Sequence, residues 1–183
     1  MAQAILWFYH PISMMVVLFA LLPSIAGCND GPVGMSLLFQ SAGRDVLVQK
    51  FDFDGQRGPV PGAVGGMFPK GGAQMSFVPG DSKRPVPREV EVEWLIWTDE
   101  FNAWSKSLDD KSAGYVYSPE GKAEYAREWA KNPRYKQRID LTPIVTPELL
   151  AKVRADRRGS LLKLIITFNN DQVDIKAEVE KWR

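Results

Sequence analysis

Alternation of apolar and polar residues predicts strands most clearly in the middle of the chain and at its end. Residues 89–94 read Glu-Val-Glu-Val-Glu-Trp, and this period of two predicts a half-buried strand that runs on to Trp97. Residues 160–168 and 173–180 predict two more strands, which a turn at 169–171 joins into a hairpin with one solvated face. Further strands are predicted at residues 35–39, 45–53, 73–78 and 134–138.

Helix start signals occur three times between the predicted strands. Thr98, Ser118 and Thr146 are typical N-cap residues, and the last two precede a proline at the first helical position. Apolar residues then recur at helical spacing behind each cap, the last helix reaching Gly159. We therefore predict an α+β fold: a mostly antiparallel sheet with two or three helices inserted before a C-terminal β-hairpin.

The first 27 residues contain no Asp, Glu, Lys or Arg and include an apolar run at residues 14–22, as in a secretory signal. The segment ends in Ile-Ala-Gly-Cys at residues 25–28, which closely resembles the lipobox of bacterial lipoproteins. That resemblance implies cleavage before Cys28 and attachment of diacylglycerol to its thiol. We expect a signal peptide over residues 1–27, a lipidated tether over residues 28–34 and a single α+β domain over residues 35–183.

Two alternatives to a cleaved signal stay open, because the segment lacks the Lys or Arg that normally opens one. The first alternative is that the start codon is misassigned, and the second is that the segment is an uncleaved membrane helix. Residues 5–27 number 23, enough for the roughly 20 that span a bilayer, but two prolines and other polar residues interrupt them. If Cys28 is lipidated, Asn29 after it favours the periplasmic face of the outer membrane over the inner membrane.

Charge is unevenly distributed along a chain whose net charge is only +1. Residues 89–120 carry eight acidic and two basic groups, and residues 121–163 carry eleven basic and five acidic groups. One interpretation is that this division of charge steers a charged partner towards the protein. The other is that the acidic and the basic segments neutralise each other in the fold. Lipid headgroups are one possible partner for the basic residues, whereas nucleic acid is not expected outside the cytoplasm. These basic residues are Arg134, Lys136 and Arg138 on a predicted strand and Lys152, Arg154, Arg157 and Arg158 near a helix end.

Catalytic side chains are few in the expected mature chain. The one histidine, His10, lies in the segment to be removed, and the one cysteine, Cys28, would be acylated. This excludes Ser-His-Asp and Cys-His catalysis and removes the commonest metal ligands, so we expect no enzyme, metal or cofactor. Glu91 and Glu93 lie on the same face of one predicted strand, about 6.6–7 Å apart by strand rise. This separation is close to that of the two catalytic carboxylates of a glycosidase. The solvated face of an amphipathic strand is the better interpretation of the two residues.

Aromatic side chains crowd the acidic segment between residues 97 and 117. Aromatic residues beside charge are typical of protein interfaces, although for each single aromatic the core is the better interpretation. We predict a partner-binding surface here. Its candidate residues are Trp97, Asp99, Glu100, Phe101, Trp104, Asp109, Asp110, Tyr115 and Tyr117.

The order of motifs resembles a family of small, uncharacterised bacterial lipoproteins. A lipobox and a strand pair precede a Gly-rich loop at residues 64–72, a short strand followed by Pro79, a strand ending in Trp94 and a C-terminal hairpin. Members of this family accompany phospholipase effectors of the type VI secretion system. The resemblance implies a periplasmic immunity protein that binds a lipase and covers its active site. A non-catalytic structural or assembly lipoprotein of the envelope is the alternative.

Overall fold

The strands and helices lie in residues 32–65, 74–77, 85–112 and 114–181, which the computed structural model describes, with residues 74–77 as backbone alone. Cys28 and the predicted signal peptide lie outside these residues. No helix in the described ranges is long and apolar enough to cross a membrane. The elements are β1 (Met35–Ser41), β2 (Val46–Phe53), β3 (Gln56–Arg57), β4 (Ala63–Val64), β5 (Gln74–Phe77), β6 (Glu89–Ile96), α1 (Asp99–Ser107), α2 (Pro119–Ala130), β7 (Arg134–Asp140), α3 (Pro147–Ala155), β8 (Ser160–Asn169) and β9 (Gln172–Lys181).

The described strands form two sheets. The first has the order β5-β1-β8-β9, and the second has the order β3-β2-β6-β7 with β4 also paired to β2. Strands β1 and β8 pair in parallel, and the other described pairings are antiparallel. The predicted α+β class, the mostly antiparallel pairing and the C-terminal hairpin, β8–β9, are confirmed. The short strands β3 and β4, which the sequence pattern does not predict, pair with β2 at the edge of the second sheet.

The apolar faces of the two sheets meet in one core. Side chains that alternate along β1, β8 and β9 pack against those of β2 and β6, as the period of two requires. Phe39 of the first sheet meets Phe51 of the second with ring centroids 5.0 Å apart. Trp94 and Phe168 make the same connection further along, with centroids 5.7 Å apart.

The core lies between two distinct ends of this sandwich. At one end the parallel strands β1 and β8 begin, and the Leu162 N–H donates to the carbonyl of Gly34 over 2.8 Å. We call this the Pro32 end, because the described chain starts there at Pro32. At the other end β1 and β8 finish, the Trp94 indole N–H donates to the Asn170 carbonyl over 2.9 Å, and β6 leads into α1. Seven residues of β1, or about 20 Å of strand, separate the two ends.

Helix α3 closes the Pro32 end. Its buried Val153, with the half-buried Leu149 and Leu150, packs against the core, as the helical spacing predicts. The helix ends at Ala155, earlier than predicted, because Asp156 leaves helical geometry and its carboxylate accepts the N–H of Gly159 over 3.0 Å. The side chains of α3 that do not face the core, such as Lys152 and Ala155, are exposed at the surface of the Pro32 end.

All three predicted N-caps are confirmed. The hydroxyl of Thr98 accepts the N–H of Phe101, that of Ser118 accepts the N–H of Gly121, and that of Thr146 accepts the N–H of Leu149. Each hydroxyl satisfies a backbone donor that has no partner within its helix. Local chemistry therefore determines where the helices begin.

Candidate partner-binding surface

The helices between β6 and β7 form a small unit with an aromatic core of its own. We call residues 99–130 the insert. Phe101 is buried at its centre, with its ring centroid 5.5 Å from that of Trp104, 5.6 Å from Trp129 and 6.3 Å from Tyr125. Trp97, just before α1, lies 6.2 Å from the same ring. This packing holds α1 against α2 at the end of the sandwich.

A carboxylate organises the polar side of the insert. Glu124 of α2 accepts the indole N–H of Trp104 over 2.8 Å and the ammonium of Lys111 over 2.9 Å. It also accepts the hydroxyl of Tyr115, and the Lys111 ammonium lies 4.1 Å from the centroid of that tyrosine ring. The hydrogen bonds from Tyr115, Lys111 and Trp104 lower the pKa of Glu124 to about 2. Ionised Glu124 thus joins α1, the following loop and α2.

The Glu124 network should be sensitive to acid. Because its pKa is about 2 in the fold and about 4.3 in an unfolded chain, its contribution to stability is fully present above about pH 4.3 and is lost as the pH falls towards 2. The NMR resonance of the Trp104 indole N–H in the folded protein should shift and broaden as the pH approaches 2.

Glu91 provides a matched control for this titration, because its pKa is also lowered to about 2, on the outer face of the second sheet. Glu124→Gln should alter the Trp104 resonance already at neutral pH, whereas Glu91→Gln should leave it in place. A Trp104 resonance indifferent to Glu124→Gln would contradict the network.

Three large apolar side chains of the insert are exposed, Val116 and Tyr117 in a short turn and Tyr125 on α2. Tyr117 is 75% exposed, Tyr125 43% and Val116 37%. The turn at residues 115–117 lies directly across the start of α2, since a Cβ on Gly121 would be 2.0 Å from the Tyr115 carbonyl oxygen. Only glycine allows this close approach. We call Val116, Tyr117 and Tyr125 the tyrosine rim.

The predicted contact residues divide between the inside and the outside of the insert. Phe101 is buried and Trp97, Trp104 and Tyr115 are half-buried, so their rings mainly organise the insert. Tyr117 alone of the predicted aromatics is largely exposed. The acidic candidates are exposed as well: Asp99 pairs with Arg44 over 3.0 Å, and Glu100, Asp109 and Asp110 face solvent.

Sequence reasoning missed two members of the tyrosine rim and the organising role of Glu124. Tyr125 and Trp129 are four residues apart on α2, and their rings stack with centroids 5.6 Å apart. That spacing carried no signal that Tyr125 would also remain partly exposed. Val116 lies between two tyrosines in the sequence, and only the tertiary position of the turn exposes it.

The two glutamates considered as a catalytic pair lie in a ladder of ion pairs. Glu91 contacts Lys50, and Lys136 lies 3.0 Å from Glu91 and 3.1 Å from Glu93. Arg138 reaches Glu89 over 3.2 Å on the neighbouring strand. Lys50 and Lys136 lower the pKa of Glu91, whereas a glycosidase acid needs a raised pKa. The predicted basic stripe on β7 is therefore partly neutralised by the acidic strand β6.

The part of the chain described here contains no group of three or more His, Cys, Asp or Glu side chains arranged to hold a metal ion. The exposure of the large apolar side chains in the tyrosine rim is not explained by the packing of the insert. No protein-family model matches this chain, and no curated protein or solved structure matches it either.

Proposed function

We propose that this protein is an envelope-tethered lipoprotein that binds a toxic phospholipase effector and inhibits it by covering the active site. The observation that carries the proposal is the tyrosine rim, where Tyr117 is 75% exposed, whereas Phe101 and Trp129 of the same insert pack against each other. Tyrosine offers a large apolar ring with a polar tip and is enriched where proteins bind each other. An exposed tyrosine surface of this kind fits a protein partner.

The support beneath the rim favours binding. Phe101 packs the aromatic core of the insert, and Glu124 connects Trp104, Lys111 and Tyr115. A surface held in place before binding loses less conformational freedom when a partner arrives. The rim is thus suited to a stable complex.

The position of the insert agrees with a membrane tether. The chain reaches the sandwich at Pro32, and the insert lies at the other end, about 20 Å of strand away. Lipid attached to Cys28 would hold the Pro32 end near the membrane and leave the tyrosine rim facing the periplasm. Acidic residues at the insert surface, such as Asp109 and Asp110, would steer a basic partner towards the rim.

If a phospholipase gene lies beside the gene for this protein, its product is the enzyme with which the proposal is tested. The detergent-purified lipoprotein should form a one-to-one complex with that enzyme and suppress its hydrolysis of phospholipid vesicles. A catalytically inactive variant of the lipase should bind equally well. Absence of a complex would reject the proposal, and a stable complex without inhibition would favour an assembly role.

A further inference from the structure

The outer side of α3 carries a group of exposed cations that no structural role accounts for. Lys152 lies on the exposed face of the helix, and Arg157 and Arg158 lie in the turn behind it. We call these three residues the α3 basic cluster. The nearby carboxylate of Asp156 is held by Lys181 over 3.0 Å, so it does not neutralise them.

Favourable interaction with the helix dipole explains at most part of this charge. A cation stabilises a helix when it lies in the last turn, and Lys152 fulfils that condition. Arg157 and Arg158 follow Ala155, the last helical residue, and both side chains are exposed. Their charge is therefore available to a partner outside the fold.

The α3 basic cluster lies beside the point where the chain reaches the sandwich. Arg157 lines one shallow depression together with Pro32, Val33 and Gly34. Val153 packs on the core, whereas Lys152, about 100° round the helix from it, is exposed to solvent. Arg157 of the cluster and the start of the described chain therefore share one surface, and Arg158 follows Arg157 directly in the sequence.

Chain length limits how far this surface can lie from a lipid on Cys28. Pro32 follows Cys28 by four residues, which span at most about 14 Å when fully extended. Charges attract an anionic membrane within about one Debye length, roughly 8 Å at physiological ionic strength. Cations beside Pro32 are thus within reach of the headgroups, provided that Cys28 carries the lipid of the proposed function.

We propose that the α3 basic cluster docks on the anionic phospholipid headgroups of the membrane that anchors the protein. Docking gives the protein a second contact with the membrane, in addition to the lipid on Cys28. It holds the Pro32 end of the domain against the bilayer, with the insert directed away from it. Each cation near an anionic surface favours the docked state roughly five-fold, so the three together favour it by roughly 100-fold. The lipid supplies attachment, and the cluster supplies orientation.

Fluorescence energy transfer in reconstituted vesicles tests this inference. The substitution Ala155→Cys introduces a thiol at an exposed position of α3. If lipid blocks Cys28, this thiol is the sole free one in the protein, and the donor dye is attached to it. The acceptor dye is attached to lipid headgroups. Transfer from the full lipoprotein should be higher in vesicles containing phosphatidylglycerol than in vesicles of phosphatidylcholine alone, where the lipid on Cys28 is the sole attachment. Combined K152E, R157E and R158E substitutions should reduce the first signal to the second.

Matched variants separate docking from general effects of charge. The triple change K106E, K122E and R127E reverses three exposed cations of the insert and should leave the transfer unchanged. Neutral substitutions K152Q, R157Q and R158Q should give an intermediate signal, and circular dichroism should verify that each variant keeps its fold.

Two results would overturn the inference, and they are distinguishable. Equal transfer on both kinds of vesicle, unaffected by the α3 substitutions, would eliminate headgroup docking while leaving the tether and the effector-binding proposal intact. A mass spectrum showing unmodified Cys28 would instead remove the lipid attachment on which both proposals rest.

Discussion

Replacing Trp94 with alanine should lower the free energy of unfolding by about 3–5 kcal/mol, as expected for truncation of a large buried aromatic. Trp94 is 1% exposed and connects the sheets, since its ring stacks on Tyr135 and meets the edge of Phe168. Its indole N–H also donates to the Asn170 carbonyl. Since domains are typically stable by only 5–15 kcal/mol, this loss is a large fraction of the total.

Urea unfolding of the chain from Asn29 onward, followed by far-ultraviolet circular dichroism, measures the effect of Trp94→Ala. Trp129→Ala provides the comparison, because Trp129 packs in the insert against Phe101 and Tyr125. We expect the Trp129 variant to weaken the insert and to lower sandwich stability much less. A loss below about 1 kcal/mol for Trp94→Ala would show that the sheets do not depend on this contact.

Replacing Tyr117 with alanine should weaken the proposed complex with a phospholipase by about 2 kcal/mol or more, roughly 30-fold in Kd. The ring is 75% exposed in the free protein and would become buried in the complex. Surface plasmon resonance with the immobilised lipase would show the loss mainly as faster dissociation. The same variant should lose inhibition of the lipase in proportion.

The Tyr117 prediction needs a test that separates binding from folding. Because the side chain is largely exposed, Tyr117→Ala should change the free energy of unfolding by no more than about 0.5 kcal/mol. Tyr117→Phe keeps the ring and should retain most of the affinity. Charge reversal at Asp109 and Asp110 should mainly slow association and change its salt dependence. Unaltered affinity in Tyr117→Ala would place the interface elsewhere.

Much of the fold follows from local sequence signals. The alternation at residues 89–94 predicts a strand with Val90, Val92 and Trp94 inward, and all three are buried in β6. The hydroxyl of Thr98 caps α1 as its position before Asp99 predicts. Strand periodicity and helix capping depend on residues that are close together in the chain. Both can therefore be predicted from a single sequence.

The pairing of distant strands does not follow from such signals. β1 pairs in parallel with β8, whose partner residues lie about 127 positions later, and no local period specifies that register. The same limit applies to the candidate site. Tyr115 and Tyr117 are two residues apart and chemically identical, yet one bonds Glu124 while the other faces solvent. Only the packing of the turn on Gly121 distinguishes them.

One side chain joins the edges of the two sheets. The amide of Gln137 on β7 donates to the Val173 carbonyl over 3.1 Å and accepts the Val173 N–H over 2.8 Å. These backbone groups on β9 are the ones that an additional strand would use. If the proposed lipid anchor holds copies of this protein in one leaflet, the copies are concentrated in two dimensions, where open strand edges promote aggregation. The glutamine occupies this part of the edge and so protects neighbouring copies from pairing there.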